Sequence, residues 1–200
     1  MSKPVVAAFD FDGTLTYRDA LLPFLISVAG PVQTFGKLLL QTPSMLGFVC
    51  GCVSRQHAKE EILKSIVGGM PVDALRQQGE HYAAGAVNKL VKPEGLKRLH
   101  WHQSQGHRCI LISATLDVFL DPWAKREGFQ DLICSRIAVN GNDRVTGKLV
   151  GLNCWGPEKV RRLVELIGPK DSFTLYAYGD SRGDKDLLQL ADYPFYRRFE

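Results

Sequence analysis

The sequence predicts an α/β protein with a Rossmann-like parallel sheet as its core and a helical unit inserted after the first strand. Three apolar runs, at residues 5–9, 108–113 and 173–178, have the length of buried strands. Helical patterns alternate with the later strands, which is typical of a parallel sheet covered on both faces. Residues 17–90 contain no strand pattern, so we expect them to form the inserted unit.

The composition is that of an ordinary globular protein and excludes several classes. Of the 200 residues, 45% are hydrophobic and 23% are charged. The net charge of +4 comes without a run of basic and aromatic residues of the kind that binds nucleic acid, so no nucleic-acid partner is expected. Five cysteines, an odd number, fit no disulfide framework, and the N-terminus has no signal-peptide pattern. We therefore expect a cytoplasmic protein.

The inserted unit should consist of about four helices. Between residues 20 and 54 the single charged residue is Lys37, which predicts two apolar helices packed on each other. Ser54 can cap a third helix that runs to about residue 67, where two glycines end it. Pro71 can begin a fourth helix that reaches about residue 90.

After residue 90 the pattern returns to alternating helices and strands. A hairpin is expected over 133–150, because Asn140-Gly141 at its centre is a strong turn signal. The aromatic and basic segment 193–199 should form a closing strand or a packed tail. Helices are expected over 94–105, 117–127 and 157–167, with a short one after Asp184.

Each of the three predicted strands is followed by polar side chains. The set consists of Asp10 and Asp12, then Ser113, then Asp180 and Asp184, with Lys159 in the first turn of the helix before the last strand. Because ligands bind at the carboxyl ends of parallel strands, we expect these side chains to meet. Two carboxylates about 4 Å apart repel by roughly 4 kcal/mol at an effective dielectric constant near 20. Such a cluster favours a divalent cation, and oxygen ligands indicate Mg²⁺.

A metal ion, a hydroxyl group and an ammonium group together can hold a phosphoryl group. A carboxylate beside the phosphorus can attack it and form an aspartyl phosphate. A second carboxylate two residues further on can protonate the leaving oxygen and then deprotonate water. The residues therefore predict phosphoryl chemistry at the sheet edge.

These motifs resemble those of the haloacid dehalogenase-like (HAD) hydrolases, and the resemblance covers the whole chain in the right order. The chain looks most like subfamily IB, the phosphoserine-phosphatase-like branch, in which a helical C1-type cap follows the first motif and the core carries a β-hairpin. The resemblance implies a core domain at 1–16 and 91–200 and a cap domain at 17–90. It is carried by DFDGTLT at 10–16, Ser113-Ala114-Thr115, Lys159 and Gly179-Asp180-x-x-x-Asp184.

The resemblance also implies roles for the site residues. Asp10 would be the nucleophile and a metal ligand. Asp12 would be the general acid and base, with its main-chain carbonyl on the metal, and Asp180 would ligate Mg²⁺. Asp184 would support the site. The phosphate-binding residues would be Thr14, which also helps to fix the loop, Ser113, Ala114 and Lys159.

The substrate is left open by the sequence. Asp19 and Arg55 are candidates for cap specificity, but Leu63 stands where phosphoserine phosphatases carry an arginine. Gly183 also replaces the family's usual asparagine, so phosphoserine itself is not favoured. One alternative is a small phosphorylated metabolite. The other is a lipid phosphate of the phosphatidylglycerophosphate type, bound by an apolar cap that touches the inner face of the membrane peripherally.

A non-enzymatic alternative is a receiver-like domain that holds a phosphate on an aspartate. Receivers have no helical insert after the first strand, and their acceptor aspartate lies on a later strand. The sequence therefore favours an enzyme, a phosphatase, and does not indicate an oligomeric state.

Overall fold

The computed structural model describes residues 3–40 and 52–200. Five parallel strands form one sheet in the order β3-β2-β1-β6-β7, and β4 and β5 form a separate antiparallel hairpin. The predicted α/β fold with a parallel core sheet is confirmed. The strands are β1 (Val5–Phe9), β2 (Arg108–Leu116), β3 (Asp131–Ser135), β4 (Ile137–Val139), β5 (Val145–Leu149), β6 (Thr174–Gly179) and β7 (Tyr193–Tyr196).

Eight α-helices lie in the described ranges, four in the insertion and four beside the sheet. Those of the insertion are α1 (Leu21–Ala29), α2 (Pro31–Leu40), α3 (Arg55–Val67) and α4 (Val72–Ala84). Those of the core are α5 (Pro93–Ser104), α6 (Asp117–Arg126), α7 (Pro157–Ile167) and α8 (Lys185–Leu190).

The central strand β1 explains why both faces of the sheet are covered. Successive side chains of a strand point to opposite faces of the sheet. All residues of β1 are apolar, so both faces of the strand are apolar. Ala7 and Phe9 belong to the larger hydrophobic cluster, which includes residues of the inserted helices. Val6 and Ala8 belong to the second cluster, on the other face. A strand buried on both faces reads as a continuous apolar run, as the sequence does here.

The hairpin is shorter than the sequence suggested. Residues 131–135 pair in parallel with β2 and extend the main sheet, so the predicted hairpin over 133–150 was wrong at its first end. The antiparallel pair is β4 with β5, and Asn140 holds the turn by accepting hydrogen bonds from Asn142 N and Arg144 N. An apolar strand pattern does not say which neighbour a strand pairs with, and Cys134 and Ile133 are buried in the main sheet instead.

The inserted helices follow the predicted boundaries with one exception. Ser54 caps α3 by accepting a hydrogen bond from His57 N at 3.1 Å. Helix α4 ends at Ala84, before the predicted residue 90, and a short 3₁₀ turn at Val87–Lys89 follows it. Of the predicted apolar pair, α1 and α2 are present, and residues 41–51 lie outside the described residues.

Aromatic packing fixes the insertion against the core. The ring of Phe24 in α1 lies 5.3 Å from Tyr82 in α4 and 4.9 Å from Phe119 in α6, measured between ring centroids. Tyr82 also donates a hydrogen bond from its hydroxyl to the carbonyl of Ala20 at 3.0 Å. These contacts place α1 against α4 and against the first turn of α6. The division of the chain into domains at residues 17 and 90 stays a prediction.

No single helix among the described residues is long and apolar enough to cross a membrane. Helices α1 and α2 meet the length and composition criteria only as a pair, and they are bent by 116° relative to each other.

We expect Gly147→Ala to lower the free energy of unfolding by at least about 2 kcal/mol, measured by urea unfolding. Gly147 in β5 has a φ of +82°, and a Cβ there would overlap main-chain atoms of Lys64 in α3. Gly141→Ala is the control, because a Cβ at that hairpin position meets open space and should change stability by less than about 0.5 kcal/mol. Equal effects of the two substitutions would contradict this account of the contact between hairpin and α3.

Candidate active site

The loop after β1 brings two strand ends together. Asp10 follows β1 directly, and its main-chain N–H donates to the carbonyl of Tyr178 in β6 at 2.9 Å. The next turn depends on Gly13, whose φ is +82° and where a Cβ would overlap the carboxyl group of Asp180. Glycine is needed there because it adopts the left-handed region and leaves room for that carboxyl group. The glycine of the first motif thus allows the first and last motifs to touch.

Lys159 lies at the centre of the site. Its Nζ donates hydrogen bonds to Asp10 Oδ1 at 2.6 Å, to Asp184 Oδ1 at 2.6 Å and to the carbonyl of Ile112 at 3.3 Å. The lysine side chain is 2% exposed, so these partners replace the water that an ammonium group would otherwise bind. The three partners come from β1, from β2 and from the turn after β6. One side chain therefore joins the ends of three neighbouring strands.

The turn after β6 is fixed by Asp184. Its Oδ2 accepts hydrogen bonds from Ser181 Oγ at 2.8 Å and from the main-chain N–H of Ser181 at 3.1 Å. Thr14 crosses from the first loop and donates to Asp10 Oδ2 at 3.1 Å and to Asp180 Oδ1 at 3.2 Å. The predicted site residues Asp10, Thr14, Asp180 and Asp184 are thus brought together.

The cluster is buried and carries more negative than positive charge, and the pKa values follow from both, with burial the larger cause. Burial raises the pKa of Asp10 to about 6, with Asp184 and Asp180 adding to the shift and Lys159 opposing it. Burial and Asp184 also raise the pKa of Asp180. Burial disfavours the ammonium form of Lys159, but Asp10 and Asp184 hold its pKa above the usual value. Lys159 is therefore favoured in its charged form, whereas the charged forms of Asp10 and Asp180 are disfavoured.

This excess charge fits a divalent cation. One carboxylate oxygen from each of Asp10, Asp180 and Asp184 lies within 4.8 Å of the others. Oxygen donors with a net negative charge suit Mg²⁺, and Asp180 is partly exposed, so water can complete the coordination. Asp12 is not part of this group of carboxylates, and its predicted metal contact is through its main-chain carbonyl. The residues present therefore fit the cation predicted from the sequence.

Asp12 faces the other side of the loop, towards the inserted helices. Its Oδ1 accepts a hydrogen bond from Ala20 N at 2.8 Å, just before α1 begins. Partial burial, together with the nearby carboxylates of Asp19 and Asp10, holds the pKa of Asp12 well above its usual range. A carboxyl group with a raised pKa is suited to donate a proton at neutral pH.

A cavity of about 460 Å³ opens beside Asp12, between the inserted helices and the core. Its polar and charged lining includes both predicted specificity residues. Asp19 also accepts hydrogen bonds through Oδ1 from the first two N–H groups of α1, and the Arg55 guanidinium lies 4.9 Å from the ring centroid of Trp155. The residues that line the cavity are Asp12, Asp19, Leu21, Arg55, Ala58, Lys59, Ile62, Ala114, Thr115, Asn153 and Trp155.

The predicted phosphate-binding residues Ser113 and Ala114 lie in the C-terminal half of β2. Ser113 is buried, and its Oγ accepts a hydrogen bond from Thr115 N at 3.1 Å. The carbonyl of Ala114 accepts from Lys59 Nζ. The buried hydroxyl of Thr115 has no hydrogen-bond partner among the described residues, and Thr115 is one of the residues that line the cavity. It is a further candidate for contact with a substrate.

Lys59 and Asn153 are functional candidates that the sequence analysis did not find. Lys59 in α3 reaches the core and donates to the carbonyl of Ala114 and, at 3.2 Å, to Asn153 Oδ1. Burial lowers the pKa of Lys59 to about 8, although Asp12 and Asp19 oppose the shift. Helical spacing could have indicated Lys59. It lies one helical turn before Leu63, which stands where phosphoserine phosphatases carry an arginine.

Fold and site together define a class of α/β enzymes in which paired aspartates at a sheet edge surround a buried lysine. A model of the haloacid dehalogenase-like hydrolases matches residues 7–189. CicA of Caulobacter vibrioides is 34% identical over 197 residues, a match that covers 98% of this chain and 87% of CicA. The chain belongs to the haloacid dehalogenase-like hydrolase family, as the sequence motifs predicted.

Solved structures agree on the fold. A protein of unknown function from Bordetella pertussis Tohama I superimposes with a TM-score of 0.83 at 22% identity, covering 98% of this chain and 90% of that one. A substrate-bound phosphoserine phosphatase superimposes with a TM-score of 0.62 at 13% identity, covering 96% and 84%. These likenesses confirm the predicted fold, and the family match confirms the prediction of an enzyme of the haloacid dehalogenase-like family. The placement in the phosphoserine-phosphatase-like branch stays a prediction.

We expect Lys159→Met to lower the free energy of unfolding of the metal-free protein by about 3–5 kcal/mol near pH 8, because it leaves buried carboxylates without a counter-charge. A carboxyl group whose pKa is raised by folding stabilises the protein below its unfolded pKa and loses that contribution as the pH rises through its folded pKa. The deficit should therefore shrink near pH 5. Urea unfolding at both pH values checks this.

The control for this prediction is Lys185→Met, which removes an exposed lysine and should change stability by less than about 0.5 kcal/mol. A deficit of the Lys159 variant that is the same at both pH values would contradict the proposed charge balance.

Proposed function

We propose that the chain is a Mg²⁺-dependent phosphomonoester hydrolase that acts on a small phosphorylated metabolite through an aspartyl-phosphate intermediate. The observation that carries the proposal is the buried contact of Asp10 with Lys159 at 2.6 Å, beside a second aspartate on the cavity side of the same loop. The family assignment and the fold shared with a phosphoserine phosphatase support it.

In the first step, a carboxylate oxygen of Asp10 attacks the phosphorus atom, and the bond from phosphorus to the alcohol oxygen of the substrate breaks. Lys159 and Thr14 hold the Asp10 carboxylate from both of its oxygens, which fixes its orientation for attack. Asp12 donates its proton to the departing alcohol oxygen. Its raised pKa keeps that proton in place until the leaving group develops charge.

In the second step, Asp12 accepts a proton from a water molecule as the water oxygen attacks the phosphorus atom. The bond from phosphorus to Asp10 breaks, phosphate leaves, and both aspartates return to their starting states. The hydroxyl of Ser113 and the ammonium group of Lys159 stabilise the phosphoryl oxygens throughout. Mg²⁺ would be held by Asp10, Asp180 and the main-chain carbonyl of Asp12. Its positive charge would offset the repulsion between a phosphate dianion and these carboxylates.

The cavity beside Asp12 supports a metabolite-sized substrate. Its volume of about 460 Å³ is in the range of small-molecule sites. Asp19 on one side and Arg55 and Lys59 on another offer charges of both signs to the part of the substrate that is not phosphate. We propose a cytoplasmic enzyme whose partner is this soluble substrate and which binds no nucleic acid.

A second candidate substrate is a lipid phosphate. Helix α2 exposes Val32 (87%), Phe35 (52%) and Leu40 (77%), and a helix face of this kind can enter the surface of a membrane. Part of the lining of the catalytic cavity is apolar and includes Leu21 and Ile62. A peripheral contact of α2 with the inner face of the membrane would bring the phosphate headgroup of a lipid to Asp12.

Phosphate release from a panel of substrates separates the two candidates. The panel contains phosphoserine, a sugar phosphate, a nucleoside monophosphate and phosphatidylglycerophosphate in mixed micelles, each assayed with Mg²⁺ and with EDTA. We expect hydrolysis of a soluble phosphomonoester that EDTA abolishes and Mg²⁺ restores, because the acidic cluster needs a cation. Preference for the micellar lipid would favour the second candidate, and activity indifferent to EDTA would contradict the metal site.

Asp10→Asn should lower phosphate release by at least about a thousandfold, because the amide is no longer a nucleophile. The amide keeps nearly the same shape, so the far-ultraviolet circular dichroism should be unchanged. The control is Asp171→Asn, which changes an exposed aspartate outside the predicted site. It should leave turnover within about twofold of the wild type in the same assay, as expected for a surface substitution. Retained hydrolysis in Asp10→Asn would refute the assignment of the nucleophile.

A further inference from the structure

A second cavity, of about 640 Å³, lies on the other side of the catalytic loop and is rich in cations. Part of its wall is formed by Gly13, Thr14 and Gly179, which belong to the loops that carry Asp10 and Asp180. The mechanism proposed above uses none of its charged side chains. These are the cations Lys92, Lys97, Arg98, Arg197 and Arg198 and the acids Glu94 and Glu200.

The cations come from two distant parts of the chain, the start of α5 and the segment after β7. This separation explains why the sequence showed no basic patch and why the aromatic and basic segment 193–199 could be interpreted as a packed tail. The fold places that segment against α5, where Phe199 packs close to Gly95. The concentration of positive charge is therefore a property of the folded chain.

Arg98 is held in a fixed orientation. Its Nε donates to the hydroxyl of Tyr178 at 2.7 Å, and its guanidinium lies 4.2 Å from the ring centroid of Trp101. Within the described residues, Nε is the one guanidinium nitrogen of Arg98 that makes a hydrogen bond. The two terminal nitrogens remain as a planar pair of donors, the arrangement that suits phosphate oxygens.

Arg197 is similarly fixed. It has a φ of +56°, which is uncommon for a residue other than glycine and indicates a constrained backbone. Its main-chain N–H donates to the carbonyl of Gly179 at 2.9 Å, and its Nε donates to the carbonyl of Asp180 at 3.0 Å. The side chains of Lys97 and Arg198 make no hydrogen bond or ion pair with any described residue. Lys92 uses one of its three ammonium donors on the carbonyl of Gly13, so all five cations have donors left for a ligand.

We propose that this cavity is a binding site for a multiply charged phosphoryl anion, separate from the catalytic cavity. Five cations face two acids there, two guanidinium groups are oriented in advance, and the exposed ring of Trp101 forms part of the wall. The ligand chemistry is that of a free polyphosphate or of an anionic phospholipid headgroup. The site requires neither the metal ion nor turnover, so it goes beyond the proposed hydrolase activity.

Isothermal titration calorimetry with inorganic tripolyphosphate tests the proposal on the full chain. The titration is done without metal and at an ionic strength of about 0.15 M, where weak surface attraction is screened. We expect one binding event that becomes at least tenfold weaker in the double variant Lys97→Gln/Arg198→Gln. Ser113→Ala, which removes a predicted phosphate-binding hydroxyl group of the catalytic site, should bind tripolyphosphate as the wild type does.

A matched control is Lys64→Gln/Lys89→Gln, which removes the same number of positive charges from exposed lysines outside the cavity. Sedimentation with vesicles that contain phosphatidic acid, whose phosphate can carry two charges, is compared with sedimentation with phosphatidylcholine vesicles and is measured on the same variants. If the Lys97/Arg198 variant binds tripolyphosphate less tightly than the wild type and vesicle binding is unchanged, the ligand is a free polyphosphate. If the variant also loses vesicle binding, the ligand is a lipid headgroup.

Equal binding of both probes by the Lys97/Arg198 variant and the matched control would overturn the proposal, as would the absence of binding of either probe to the wild type. Weakening by Ser113→Ala equal to that in the cavity variant would also overturn it, since the anion would then occupy the catalytic site. A failure of the phosphatase assay would leave this result unaffected.

Discussion

The contact of Lys159 with two buried aspartates is the interaction on which the rest of the site depends. Removing an ammonium group and carboxylates from water costs several kcal/mol per ion, so the contact persists only where the surrounding elements hold it in place. Helix α7 carries the lysine, the end of β1 carries Asp10, and the turn after β6 carries Asp184. The strand order β2-β1-β6 is what brings these three carriers side by side. The residual negative charge of the cluster in turn creates the place for a cation.

The inserted helices complete the site from the opposite direction. Asp12 accepts a hydrogen bond from the residue just before α1, and Lys59 reaches from α3 to the C-terminal half of β2. Both contacts cross from insertion to core at the edge where the strands end, so the position of the helices determines the environment of Asp12. Because the pKa of Asp12 depends on burial and on Asp19, the insertion affects the proton affinity of this carboxyl group. That is the group that we propose as the proton donor to the leaving oxygen.

Much of this arrangement follows from the sequence, because it depends on a local rule. Apolar runs ending in polar residues give parallel strands whose tips share one edge, and that rule alone joins Asp10, Asp180 and Asp184. Lys59 could not be found in this way, since its contact with Ala114 depends on how α3 lies over the core. The pairing of residues 131–135 with β2 and the convergence of Arg98 with Arg197 depend likewise on contacts between distant segments. Local patterns specify elements and their ends, whereas tertiary packing selects the partners.

The most direct test of the account is to trap the intermediate. The protein is mixed with a hydrolysed substrate and Mg²⁺, quenched in acid and reduced with borohydride, which converts an aspartyl phosphate to homoserine. Peptide mass spectrometry then locates the modified residue. The account predicts homoserine at position 10, absent when substrate is omitted. Modification at another aspartate, or none while phosphate is released in the same sample, would contradict the central role of Asp10 beside Lys159.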